Sequence, residues 1–99
     1  LIVKKRNGNL EEFQYEKLCS GVDNAFGGQE LSDKKLKNLV ETIYLELKKH
    51  GKKIESNIIG ETVLSHLKDI NEVAYLRFAS VYKEFSAVSD FEKEAAELN

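Results

Sequence analysis

The sequence predicts an α+β domain, a four-helix bundle capped by a small mixed β-sheet made of an N-terminal hairpin and one short strand. Three observations predict this fold. The chain starts with two short runs containing apolar residues around an Asn-Gly pair, which is a strong hairpin signal. Four later segments repeat apolar residues at spacings of three and four, as amphipathic helices do. Proline is absent and glycine occurs only six times in 99 residues, which favours helices joined by short turns.

The first element is the hairpin around Asn7-Gly8. Two registers are possible, because a two-residue loop pairs Arg6 with Asn9 and a three-residue loop pairs Lys5 with Asn9. The longer loop needs Gly8 in the left-handed conformation and forms a G1 bulge. We favour it because it gives one face an apolar base and a charged rim, and a slip of one residue would move every side chain to the other face. That face comprises Leu1, Val3, Lys5, Glu11 and Phe13.

Two helices are expected between residues 15 and 50. The first ends at Gly27-Gly28, a pair that stops helices. Ser32 or Asp33 caps the second helix, and Gly51 ends it. The inward residues are Tyr15, Leu18, Cys19, Val22, Ala25 and Phe26 in the first helix, and Leu36, Leu39, Val40, Ile43, Tyr44 and Leu47 in the second.

A short strand and two further helices complete the predicted domain. Residues 53–55 are too few for a helix and are predicted as the third strand. Ser56 or Asn57 is expected to cap the third helix, and Asn71 the fourth. The inward residues are Ile59, Val63, Leu64 and Leu67 in the third helix, and Ala74, Phe78, Val81 and Phe85 in the fourth. We therefore expect a domain at residues 1–86 and an acidic tail at residues 87–99, in which Ser89-Asp90 caps a short helix.

Composition limits the class of protein. Apolar residues make up 41% of the chain and charged residues 32%, which is typical of a soluble globular domain. No apolar run approaches the roughly 20 residues that cross a bilayer, so no membrane contact is expected. The single cysteine, Cys19, is expected as a buried small hydrophobe in a reducing cytoplasm. The net charge of −2 argues against general DNA binding by this segment alone. Because the chain does not begin with methionine, we expect it to be part of a longer protein.

The sequence carries no recognisable catalytic or metal-binding pattern. It lacks the GxxxxGK[ST] phosphate-binding loop and the cysteine pairs of a zinc site. His50 and His66 are expected in ordinary surface positions, because no second ligand or nucleophile is spaced to act with them. We therefore expect a protein that is not an enzyme and that ligates no metal through the side chains of this segment.

The remaining candidate for function is a cluster of cations at the hairpin. Lys4, Lys5 and Arg6 precede the turn, and Lys17 lies in the first turn of the following helix. The helix dipole disfavours a cation there by roughly a few tenths of a kcal/mol. A bound anion would reverse that penalty, since helix N-terminal amides and a neighbouring lysine together bind anions. From spacing alone, a solvated basic turn is the more common explanation.

Three motifs, in order along the chain, resemble those of the ATP-cone domain family. The first runs from Val3 to Gly8 and continues with Glu11, Phe13 and Glu16-Lys17-Leu18. The other two are residues 59–63 and residues 73–85. The last motif and the tail at residues 88–98 are very similar to those of the NrdR family of bacterial ribonucleotide reductase repressors. The chain departs from the family pattern at Asn7, where Asp is commoner, and at Gln14, where some cones carry Asn.

The resemblance implies a regulatory domain that binds ATP or dATP as an effector, without hydrolysis, and controls oligomeric state. It implies a cytoplasmic homo-oligomer whose DNA contacts and zinc belong to an upstream ribbon outside this chain. Lys5, Arg6 and Lys17 would meet phosphate oxygens, and Glu11 a ribose hydroxyl or a lysine. Tyr82 and Lys83 would stack or meet phosphate, although core packing explains Tyr82 equally well. The implied nucleotide-binding residues are Val3, Lys5, Arg6, Glu11, Lys17, Ser56, Ile59, Gly60, Tyr82 and Lys83.

Two alternatives stay open on the sequence alone. The chain could be the N-terminal allosteric module of a ribonucleotide reductase, which a catalytic barrel downstream would indicate. It could also be a degenerate cone that serves as a helical interaction module without a ligand. The complete set of Lys5, Arg6, Glu11 and Lys17 argues against the second alternative.

Overall fold

The computed structural model describes residues 1–98 and has, within that range, five helices and three strands. The strands are β1 (Ile2–Lys4), β2 (Leu10–Glu12) and β3 (Lys53–Glu55). The helices are α1 (Tyr15–Ala25), α2 (Asp33–Lys48), α3 (Ser56–Ile70), α4 (Glu72–Tyr82) and α5 (Val88–Glu97). The predicted α+β class, a helical bundle with a small mixed sheet, is confirmed.

The sheet has the strand order β2-β1-β3, with β1 antiparallel to β2 and parallel to β3. Val3 is paired with Glu11 on one side and with Ile54 on the other. The side chains of Val3 and Ile54 are buried, because both point from the sheet toward the helices. The sheet thus covers one end of the core.

The hairpin adopts the bulged register predicted from the sequence. The Lys5 amide donates to the Asn9 carbonyl at 2.8 Å, and the Gly8 amide donates to the Lys5 carbonyl at 2.9 Å. Gly8 has a φ of +88°, a backbone conformation that residues with a β-carbon rarely adopt. The Asn7 side chain accepts from the Asn9 amide at 3.0 Å and so closes the loop.

Side chains from α1, α2 and α3 form the centre of the core. Each such side chain of Leu or Val size contributes about 1.5–3 kcal/mol by leaving water. The largest fully buried ones are Val22, Val40, Ile43, Leu47, Val63 and Leu67. Two caps agree with the sequence: the Ser32 hydroxyl accepts from the Lys35 amide at 3.2 Å, and the Asn71 side chain from the Ala74 amide at 2.9 Å.

Two predicted helix starts are wrong. Helix α3 begins at Ser56, and its N-cap is Glu55, whose backbone is extended because it ends β3. Helix α5 begins at Val88 with Ala87 as N-cap, and Asp90 caps it from within. Its carboxylate accepts from the amides of Ser86 at 2.8 Å and Ala87 at 3.0 Å. These two hydrogen bonds lower the pKa of Asp90.

Two burial predictions also need correction. Val81 was expected to point inward but is 80% exposed, whereas Tyr75 and Ala79 are buried. Helix α4 contacts α1, α3 and α5, so a single apolar stripe does not describe which of its residues are covered. Cys19, expected to be buried, is only half-buried in α1.

Helix α5 lies along α4. The rings of Phe85 and Phe91 meet edge to face with centroids 4.9 Å apart, which fixes the connection between the two helices. The division of the chain at residue 86 stays a prediction. None of the helices in residues 1–98 is long and apolar enough to cross a membrane.

Candidate functional site

A cavity of about 380 Å³ opens between the hairpin, α1, α3 and the end of α4. Its volume lies in the range of sites that bind small molecules. It collects residues that are far apart in the sequence, including most of the predicted site. The predicted residues in its wall are Val3, Lys5, Arg6, Glu11, Lys17, Ser56, Ile59, Gly60 and Tyr82.

One end of the cavity is cationic. Side chains alternate along β1, so Val3 and Lys5 share the face toward the helices while Lys4 points to the other face. The Lys5 ammonium lies 3.5 Å from the Glu11 carboxylate, and both side chains are about half exposed. Such an exposed pair is weak, so Lys5 remains available to another anion. Arg6, the next residue, enters the loop and lines the same cavity.

Two helix N-termini also border the cavity. Gln14 is the N-cap of α1 without a side-chain capping bond, and Lys17 follows in the first turn. Helix α3 has no side-chain cap and no acidic residue in its first turn, where Ser56 and Asn57 line the cavity. Helix N-termini carry partial positive charge, and lone amide donors there attract anions. The cations and both helix starts therefore favour an anionic group at this end.

The inner wall is apolar and centres on Tyr82. Its ring packs directly on Gly60, where an added β-carbon would overlap the ring. The Tyr82 hydroxyl donates to the Asn57 carbonyl at 3.0 Å, and its ring is stacked on Phe78 with centroids 6.1 Å apart. Ile59 extends the same wall.

The Tyr82 hydroxyl lies between charges of both signs. Burial raises the pKa of Tyr82, and the Glu61 carboxylate adds to this effect. The charges of Arg6 and Lys83 oppose it, so both cations act on the same hydroxyl. Arg6 lies in the hairpin and lines the same cavity as Tyr82, whereas Lys83 follows Tyr82 in the chain.

Lys83 is the predicted residue that the structure does not bring into the cavity wall. Its ammonium donates to both carboxylate oxygens of Glu94 in α5, at 2.9 and 3.1 Å. The hydrogen bond with Glu94 is the main reason that the pKa of Lys83 is raised. Consecutive residues of a helix point about 100° apart, so Tyr82 and Lys83 face different neighbours.

Sequence reasoning missed several residues of the wall. Helical spacing could have found half of them, because Gln14, Leu18 and Gly21 share a face of α1 with Lys17, and Phe78 lies one turn before Tyr82. The residues missed are Glu12, Phe13, Gln14, Leu18, Gly21, Asn57, Val63 and Phe78.

The site combines a cationic end with an aromatic wall. This arrangement suits a ligand that carries both an anionic group and a flat apolar group. The side chains of the wall include no histidine or cysteine. Nowhere in the described part of the chain do three or more His, Cys, Asp or Glu side chains come together in a way that could hold a metal ion.

Comparisons with known proteins agree on a family. The family model of the ATP cone domain matches residues 1–88. A protein of Corynebacterium kroppenstedtii is 46% identical over 99 residues, which are 99% of this chain and 66% of its own length. Proteins of Corynebacterium glutamicum and a Synechococcus species are each 45% identical, over 95% and 100% of this chain and 63% and 62% of their own lengths. All three are named "Transcriptional repressor NrdR". The chain therefore spans less than two thirds of each of these relatives and is similar to that part of them.

Proposed function

This chain belongs to the ATP-cone family, and we propose that its cavity binds ATP or dATP as a regulatory effector. The observation that carries the proposal is the junction of three cations with an aromatic wall in one cavity of suitable size. Adenine nucleotides match the two parts of this cavity, since their triphosphate is anionic and their base is flat and largely apolar. The proposal assigns no reaction to the site.

Each part of the nucleotide has a candidate partner. The phosphates would lie against Lys5, Arg6 and Lys17, where charge-assisted hydrogen bonds are strongest. The base would lie against the wall of Ile59 and Tyr82, with Ser56 at the start of α3 as a polar contact. Glu11 would accept from a ribose hydroxyl or hold Lys5 in place, as its 3.5 Å distance from Lys5 allows.

We further propose that the domain is the sensing part of a cytoplasmic repressor of ribonucleotide reductase genes. Relatives that match nearly the whole chain at 45–46% identity and are named as repressors support this. Binding of ATP or dATP would change the preferred oligomeric state and, through it, DNA binding by a module outside this chain. Such a change requires that the nucleotide bind one state more tightly than the other.

Isothermal titration calorimetry of this chain with ATP, dATP and, as a control, GTP tests the proposal. We expect saturable binding of ATP or dATP, and chromatography after incubation should recover the triphosphate intact. Absence of binding for both adenine nucleotides at millimolar concentration would overturn it. Light scattering with and without nucleotide tests the change in oligomeric state separately.

A further inference from the structure

One buried carboxylate lies outside the nucleotide cavity and has no part in the proposed binding. Among the charged residues at positions 1–98, Glu94 is the buried one, with 6% of its surface exposed. A buried carboxylate is costly unless it is paired and hydrogen-bonded. Glu94 satisfies this condition through α4 and its C-cap, because its oxygens accept from the Tyr75 hydroxyl of α4, at 2.6 Å, and from the ammonium of Lys83, the C-cap residue.

These contacts hold α5 onto α4. Tyr75 and Lys83 are eight residues apart, so they lie on one face of α4 about two turns from each other. Glu94 bridges them from α5. Loss of the Lys83 contact would leave a buried carboxylate without its counter-charge, which strongly favours separation of the two helices.

The residue next to Lys83 is part of the nucleotide cavity. Tyr82 forms the inner wall of the cavity that Arg6 also lines, and Lys83 follows Tyr82 at the end of α4. An anionic group bound beside Arg6 would therefore attract Lys83. The Lys83 side chain is 35% exposed and flexible, so its ammonium can move without unfolding the helix.

We propose that Glu94 is an internal competitor of the nucleotide, holding Lys83 and α5 until phosphate oxygens draw Lys83 away and loosen α5. This inference rests on the proposed function and adds a route by which an occupied cavity changes the surface of the protein. Because coupling is reciprocal, a change in Glu94 that releases Lys83 should tighten nucleotide binding by the factor by which the nucleotide weakens the Lys83–Glu94 contact.

The test combines calorimetry with hydrogen–deuterium exchange. Saturating ATP should lower the protection of amides in residues 88–97. Glu94→Gln should bind ATP at least about fivefold more tightly than wild type, the lower limit of typical allosteric coupling. In the Lys83→Gln background the same Glu94 substitution should change the affinity for ATP little, since the lysine for which Glu94 and the nucleotide compete is gone.

Matched variants separate the competition from general charge effects. Glu92→Gln removes one negative charge from an exposed position of α5 and should leave both the affinity and the exchange of α5 unchanged. Tyr75→Phe keeps every charge but removes one hydrogen bond to Glu94. It should tighten binding in the same direction as Glu94→Gln, by a smaller factor, and it provides the test if Glu94→Gln does not fold.

The outcomes distinguish the two proposals. If wild-type protein binds no adenine nucleotide, both the proposed function and the competition are wrong. If it binds, the competition alone is overturned by any of three results. These are unchanged α5 protection with ATP, no tightening by Glu94→Gln or Tyr75→Phe, or tightening by Glu94→Gln that persists without Lys83.

Discussion

The ring of Tyr82 occupies the space in front of Gly60 that a β-carbon would fill. This close approach brings the end of α4 against the first turns of α3, where the Tyr82 hydroxyl donates to the Asn57 carbonyl. The inner wall of the cavity therefore depends on a residue without a side chain. Close packing against Tyr82 thus gives a steric reason for glycine at position 60, in a motif that also resembles the family pattern.

Gly60→Ala should destabilise the protein. Overpacking of a filled site costs about 1–3 kcal/mol, whereas alanine gains about 1 kcal/mol over glycine within a helix. We expect a net loss of up to about 2 kcal/mol in the free energy of unfolding, measured in urea, together with weaker ATP binding. Gly21→Ala in α1 is the control for stability alone, since its β-carbon would lie 3.8 Å from the Phe78 ring, an ordinary contact. A similar loss in both variants would contradict the steric explanation.

Lys5→Ala and Lys17→Ala should each weaken ATP binding without unfolding the domain. Loss of one charge-assisted hydrogen bond to phosphate costs about 1.5–3 kcal/mol, so the dissociation constant should rise by about tenfold or more. Calorimetry at fixed salt measures it. Lys37→Ala, an exposed position of α2, removes the same charge elsewhere and should bind as wild type does. Unchanged affinity in both hairpin and α1 variants would place the site elsewhere.

Glu84→Gly should stabilise the protein. Glu84 has a φ of +55° at the end of α4, where the Phe85 amide donates to the Ser80 carbonyl at 2.9 Å and closes a Schellman turn. Glycine relieves a left-handed strain of about 1–2 kcal/mol but loses about 0.4–1 kcal/mol to the entropy of the unfolded chain. Urea unfolding should show a gain of about 0.5–1 kcal/mol. Glu92→Gly, inside α5, should instead lower the free energy of unfolding. A lower free energy of unfolding in both variants would contradict the proposed strain at Glu84.

Stability should fall in acid partly through Glu94. Burial raises the pKa of Glu94, but hydrogen bonds from Tyr75 and Lys83 outweigh burial and hold it below its usual 4.5. A lowered pKa contributes stability that is present above pH 4.5 and is lost as the pH falls through the lower, folded value. The urea midpoints of wild type and Glu94→Gln, measured from pH 7 to pH 3, should therefore converge in acid. Parallel profiles would show that Glu94 is not the titrating group.

The parts of the fold that local chemistry determines could be predicted from the sequence. Asn7-Gly8 fixed the hairpin register, because only the bulged pairing put Val3 and Phe13 on one face. Ser32 or Asp33 was predicted to cap α2, and Asn71 to cap α4, because their short polar side chains can accept from an amide of the first turn. The structure has Ser32 and Asn71 in these roles. These features depend on a few neighbouring residues.

The parts that failed depend on contacts between elements. The family resemblance of residues 73–85 placed Lys83 at the nucleotide site, but the direction of its side chain is decided by Glu94 on a helix outside that motif. Val81 fits the apolar stripe of α4, yet the bundle leaves that position exposed. Most members of the predicted site line one cavity, and their binding role remains a prediction.

The parallel pairing of β1 with β3 has a consequence for the timing of synthesis on the ribosome. The central strand β1 is synthesised before β3. Val3 can therefore pair with Ile54 only after residues 53–55 have been synthesised. Tyr82, which closes the cavity, emerges later still. A nascent chain therefore holds the cationic hairpin early but cannot have the complete cavity until α4 has left the ribosome. The cavity should therefore be completed in one of the last steps in the folding of this domain.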